Sequence, residues 1–88
     1  MPKMSNWYVY LLECQNGKIY TGITTDVQRR FDEHLKWTGA KFTRTNKPLH
    51  ILAFKPCINR SEASSMEWHI KRLNSSQKRE LVVSWSNG

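Results

Sequence analysis

An Asn-Gly pair set between two short apolar and aromatic runs, in YVYLLECQNGKIYTG at residues 8–22, constrains this chain more than any other feature. Flanked by strand-forming residues, Asn-Gly is a strong short-range hairpin signal, because both residues tolerate the left-handed backbone of tight turns. The pair admits two loops. A two-residue type I′ loop at Asn16-Gly17 pairs Tyr10 with Ile23 and puts Tyr10 and Tyr20 on opposite faces. A three-residue loop over residues 15–17, a type I turn with Gly17 left-handed, pairs Leu12 with Tyr20 and Tyr10 with Gly22. In that register Tyr10, Tyr20 and Gly22 share a face, and the missing side chain of Gly22 leaves a hollow beside the Tyr10 phenol. A slip of one residue thus separates a site from none. Local chemistry suits both loops. The three-residue loop is the expectation here, because helical residues farther along converge on the same face.

The hairpin strands are expected at about 7–13 and 18–23. Thr24, Thr25 and Asp26 offer an N-cap for a helix to about residue 37, closed by Gly39. Val27, Phe31 and Leu35 form its apolar stripe. GAKFTRTNKP reads as a basic loop or short helical turn. A third strand follows over 49–57, bounded by Pro48 and Pro56, which bar it from a central ladder. Asn59 and Glu62 form a capping-box pattern before a helix with Ala63, Met66, Ile70 and Leu73 on one face. Ser75 or Ser76 opens a last short helix carrying Leu81, Val82 and Trp85. The order ββ-α-β-α-α, without βαβ repeats, predicts an α+β fold with a small, mostly antiparallel sheet.

Eighty-eight residues predict one domain over 1–88. No apolar run nears the roughly 20 residues of a membrane span, and MPKMSNW has no signal-peptide core. A cytoplasmic protein without membrane contact is expected. Cys14 and Cys57 read as buried thiols, and His34, His50 and His69 form no zinc pattern. Charge is more informative: 14 Lys and Arg against 7 Asp and Glu give +7. No acidic residue falls between Glu33 and Glu62, whereas Lys36, Lys41, Arg44, Lys47, Lys55 and Arg60 do. Such a one-signed stretch attracts polyanions.

At about 100° per residue, Arg30 and His34 lie on the shoulder of the first helix's apolar stripe, while Arg29 points away. Glu67 holds the same position on the later helix. Each has an ordinary structural explanation: cross-strand packing for the tyrosines, pairing of Arg30 with Glu33 or Asp26, and a Glu67–Lys71 helical ion pair. Together, phenols, a guanidinium, an imidazole and a carboxylate suit phosphodiester hydrolysis. A carboxylate holds a divalent cation, a cation meets phosphorane charge, and a phenol handles the proton of an attacking water.

The order of these residues resembles the GIY-YIG nuclease family, and within it small single-domain UPF0213-like members, over about residues 7–73. YVY at 8–10 resembles the first motif and YTG at 20–22 the second, with Tyr8 and Val9 in place of Gly and Ile, and Thr21 in place of Ile. YTGITTDVQRRFDEH is the most specific stretch, and GAKFTR and MEWHIKRL extend it. The resemblance implies a three-stranded antiparallel sheet with flanking helices and cleavage of DNA with Mg²⁺ or Mn²⁺. By position, Tyr10 acts as general base or orients the water, and Tyr20 positions nucleophile or phosphate. Arg30 stabilises developing charge, His34 assists the proton path, and Glu67 binds metal. Many members use a late asparagine, for which Asn74 is nearby. Lys41, Arg44, Lys47 and Lys71 are expected to carry the nucleic-acid backbone. Without a separate DNA-binding module, specificity comes from DNA structure or a protein partner, or is absent. The alternative is a nucleic-acid-binding adaptor that keeps the fold and the basic face without turnover.

Overall fold

The computed structural model describes residues 6–36 and 41–87. Strand β1 (Trp7–Cys14) runs between β2 (Ile19–Thr24) and β3 (Pro48–Cys57) in an antiparallel sheet ordered β2-β1-β3. Both faces of β1 are buried, and its alternating side chains sort into two cores. Val9 and Leu11 join Ile19, Cys57, Ala63 and Ile70 beneath α3 (Arg60–Lys71) and α4 (Ser75–Asn87). Tyr10, Leu12 and Cys14 face the other way, onto Val27 and Phe31 of α1 (Val27–Leu35). A short α2 (Lys41–Thr45) precedes β3. The expected α+β fold with a three-stranded antiparallel sheet is what forms.

The hairpin adopts the three-residue register. Tyr10 pairs with Gly22, Leu12 with Tyr20, and the Cys14 N–H donates to the Lys18 carbonyl at 2.8 Å. Its turn departs from expectation. Gly17 has φ +71°, but Asn16 is also left-handed at φ +65°, where a type I turn holds that position near −90°. The side chain that made Asn-Gly ambiguous is what tolerates this conformation.

Both prolines lie inside β3, which fits because β3 is an edge. Its register against β1 slips twice, past Leu52 and past Leu49. Asp26 caps α1 by accepting from the Arg29 N–H at 3.0 Å, and Asn59 caps α3 by accepting from Glu62 N–H. The Glu62 carboxylate reaches one residue beyond the expected box, to the Ile58 N–H at 2.7 Å. The final helix is the longest at 13 residues, where a short one was expected. The first helix, expected to reach about residue 37, ends at Leu35 with Lys36 as its C-cap, and its expected closure at Gly39 lies outside the described residues.

Candidate active site

Gly22 fixes the site's geometry. A Cβ placed on it would stand 2.7 Å from the Tyr10 hydroxyl oxygen, 2.8 Å from Tyr10 Cζ and 2.9 Å from Tyr20 Cε2. The phenol of Tyr10 thus lies in the space that any side chain at 22 would fill. The rings of Tyr10 and Tyr20 sit 6.1 Å apart on the same face, as the register requires. Tyr8, though part of the first motif, packs edge-on against Phe54.

Helix α1 presents His34 and Arg30 to the phenols. His34 is 1% exposed. Its Nε2 lies 2.9 Å from the Tyr10 hydroxyl and its Nδ1 2.7 Å from the Thr43 hydroxyl on α2. Either neutral tautomer satisfies both bonds, since each hydroxyl can donate or accept. The Tyr20 ring meets the imidazole edge-on at 4.9 Å. Burial, then the Arg30 charge, lowers the His34 pKa to about 4, against the smaller opposing pull of Glu33. Burial raises the Tyr10 phenol pKa well above its ordinary value, with Tyr20 adding and the Arg30 guanidinium opposing. At neutral pH the centre therefore holds a neutral phenol beside a neutral imidazole, with Arg30 as its adjacent fixed charge. Arg30 also bonds Glu33 Oε1 at 2.8 Å, which holds the guanidinium in place. Arg29 stands outward, at 3.9 Å from the same carboxylate.

Glu67 lies on α3, which packs on the other face of the sheet. Its carboxylate pairs with Lys71 at 3.2 Å, and the Lys71 ammonium stands 6.0 Å from the Tyr20 ring centre. Among the described residues no cluster of three His, Cys, Asp or Glu is assembled. A single carboxylate is chemically compatible with a hydrated divalent ion, because Mg²⁺ often takes one or two carboxylates and completes its shell with water and substrate phosphate. The partner of Glu67 is a lysine whose side chain is 51% exposed.

Tyr10, Tyr20, Arg30 and His34 thus converge, and Glu67 pairs with Lys71, whose ammonium stands near the Tyr20 ring. Lys41, Arg44 and Lys47 are exposed on α2 and just after it. They flank Thr43, so they border the His34 side of the site. Asn74 serves another purpose. Its side chain accepts from the Gln77 N–H at 2.8 Å and its own N–H donates to the Gln77 side chain, capping α4.

Two contributors escaped the sequence reading. Thr43 sits in a stretch read only for its charge. Lys78 shares helical spacing with Leu81, Val82 and Trp85, so a lysine on an apolar stripe was its available signal. The residue is buried, and its ammonium donates to the Ile19 carbonyl at 3.3 Å.

Residues 6–80 match the profile of the GIY-YIG catalytic domain. The chain is 57% identical over 83 residues to a UPF0213 protein of Cupriavidus necator, covering 94% of this chain and 90% of that one. It is 49% identical over 79 residues to a UPF0213 protein of Xanthomonas campestris pv. campestris, covering 90% and 74%. The solution NMR structure of a UPF0213 protein from Bacillus halodurans is similar at TM-score 0.55 and 42% identity, over 88% of this chain and 82% of that one. A second NMR structure, from E. faecalis, is similar at TM-score 0.64 and 33% identity, over 99% and 91%.

Proposed function

This chain belongs to the GIY-YIG catalytic domain family, and from that premise we propose that it is a divalent-metal-dependent endonuclease hydrolysing phosphodiesters in DNA. The observation that carries this reading is the Tyr10 phenol seated against Gly22 and bonded to a buried His34. Aromatic packing over a cross-strand glycine is also a structural device, so the part of this observation that favours chemistry is the bond from the phenol to a buried, neutral imidazole.

The roles follow from burial and charge. Tyr20, half-buried at the site's mouth, orients the attacking water. Tyr10 and His34 form the path along which the water's proton leaves. Arg30 meets the charge that grows on the phosphorane oxygens. Before substrate arrives, Arg30 helps keep His34 uncharged. A phosphate docking on the guanidinium offsets that effect and raises the imidazole's affinity for a proton when one is released. Nucleases of this family generally use divalent metals. Here Glu67 would hold Mg²⁺ or Mn²⁺, which supplies charge neutralisation at the scissile phosphate. Lys41, Arg44 and Lys47 line the approach of the backbone. Sequence preference is weak, with DNA structure or a protein partner supplying selectivity.

The Glu67–Lys71 pair favours one rival. If Glu67 serves only that lysine, the same surface makes a nucleic-acid-binding adaptor. Cleavage of single-stranded, duplex and branched DNA, with Mg²⁺, Mn²⁺ or EDTA, separates the two when wild type is compared with Glu67→Gln. The enzyme reading expects cleavage that EDTA and Glu67→Gln abolish, with DNA binding in EDTA retained. Full cleavage by the variant refutes the metal role, and DNA binding without cleavage of any substrate by wild type favours the adaptor.

A further inference from the structure

Beyond the outer edge of β2 lies a cavity of about 290 Å³ lined by Ile19, Tyr20, Thr21, Lys71 and Lys78. Lys78 is 9% exposed, yet among the described residues its ammonium finds one acceptor, the Ile19 carbonyl. An ammonium has three donors, and burying it against a single carbonyl is costly unless further acceptors arrive. The second lysine of the cavity, Lys71, adds a like charge, and both burial and that charge push the Lys78 pKa down. Thr21 is 2% exposed, and its hydroxyl has no hydrogen-bond partner among the described residues. Two ammonium groups and the flank of Tyr20 thus border one small space, whose wall includes Thr21. Lys71 already pairs with Glu67 at 3.2 Å, and an anion in the cavity would give both ammonium groups a further acceptor.

We propose that this cavity seats a phosphate group of the nucleic-acid chain, next to the one presented to Tyr10 and Arg30. Tyr20 belongs to both spaces, so a chain lying across β2 would place neighbouring phosphates on either side of it. Lys78 and Lys71 neutralise the second phosphate. This subsite sets which bond is presented for cleavage by gripping the chain one step away. The inference rests on the nucleic-acid reading above and deepens it.

The test uses amide NMR shifts of residues 19–22 in the intact protein, in EDTA so that no turnover occurs. The probes are thymidine 5′-monophosphate, thymidine and inorganic phosphate. The expected result is saturable shifts with the nucleotide, weaker ones with inorganic phosphate and none with thymidine. Lys78→Met keeps length and apolar contact, and should weaken nucleotide binding by about tenfold or more, as for one lost charge-assisted bond. The exposed Lys71→Met provides the same test should the buried substitution disturb folding. Absent shifts, or shifts that neither substitution weakens, overturn the proposal. Inorganic phosphate binding as tightly as the nucleotide overturns the assignment to a chain phosphate. Cleavage without binding here rejects only the subsite, whereas binding here by a protein that never cleaves DNA rejects the enzyme and keeps the subsite.

Discussion

Replacing Gly22 by alanine isolates the geometric claim on which the site rests. The φ of Gly22 lies outside the left-handed region, so the alanine backbone is unstrained and the cost is one of packing. To bring the new Cβ to 3.4 Å, three atoms at 2.7–2.9 Å must each retreat by about 0.5–0.7 Å. Tyr10 has nowhere to go: it is 1% exposed and its hydroxyl is held at 2.9 Å by His34. Overpacking of this kind costs ~1–3 kcal/mol. Alanine returns about 0.4–1 kcal/mol by restricting the unfolded chain, leaving a net loss of about 1–2 kcal/mol. Urea unfolding of wild type, Gly22→Ala, Tyr10→Leu and the double variant measures it. Leucine vacates the hollow, so the cost of alanine at 22 should largely vanish in the Tyr10→Leu background. Cleavage should fall by ~10²-fold in Gly22→Ala, the scale expected when a reacting group is displaced by about an ångström. A loss below about 0.5 kcal/mol, or an equal loss in the Tyr10→Leu background, would show that Tyr10 does not occupy the hollow.

Arg30→Ala should lower cleavage ~10²–10³-fold with DNA binding nearly kept, since its charge is used in the transition state; Arg29→Ala, on the outward face, is the control, and equal losses would refute the assignment. Removing Lys41, Arg44 and Lys47 one at a time should each flatten the dependence of log K on log salt by roughly 0.9 on duplex DNA, and binding indifferent to salt would indicate another partner. His34 predicts a pH effect on stability. Its folded pKa of about 4 lies below the ordinary 6.5, so the unfolded chain binds more protons between those values. Stability from this group is complete above about pH 6.5 and declines toward pH 4, by up to about 3 kcal/mol. His34→Gln should remove that slope in urea titrations at pH 7, 5.5 and 4; an unchanged slope assigns it elsewhere.

What could be read from the chain depended on how local each cause was. The hairpin register turned on a loop of three residues, and Asp26 and Asn59 announced their helices because caps act within one turn. Asn16 was harder, since turn types differ by the φ of a residue that tolerates either sign. Thr43 and Lys78 act across the fold: one completes a chain from α2 to His34, the other reaches Ile19 from 59 residues away. No periodicity encodes such a contact until the strands are placed. The Glu13–Arg79 ion pair, 66 residues apart at 2.6 Å, is of the same kind. Glu67 was legible as a shoulder residue, but where it stands relative to the tyrosines depends on how α3 crosses the sheet.

The prolines and register slips of β3 bear on how this chain behaves when crowded. LHILAF is apolar and rich in strand formers, it lies at a sheet edge, and Leu49 and Phe54 are more than half exposed. Such an edge is a template for pairing with another copy and a seed for aggregation. Pro48 and Pro56 remove donors at both ends, the slips at Leu49 and Leu52 break the even ladder a second strand would need, and Lys55 adds charge. Many copies gathered along one polyanion would reach high local concentration, where an unguarded edge would zip them together. The irregular edge works against such pairing.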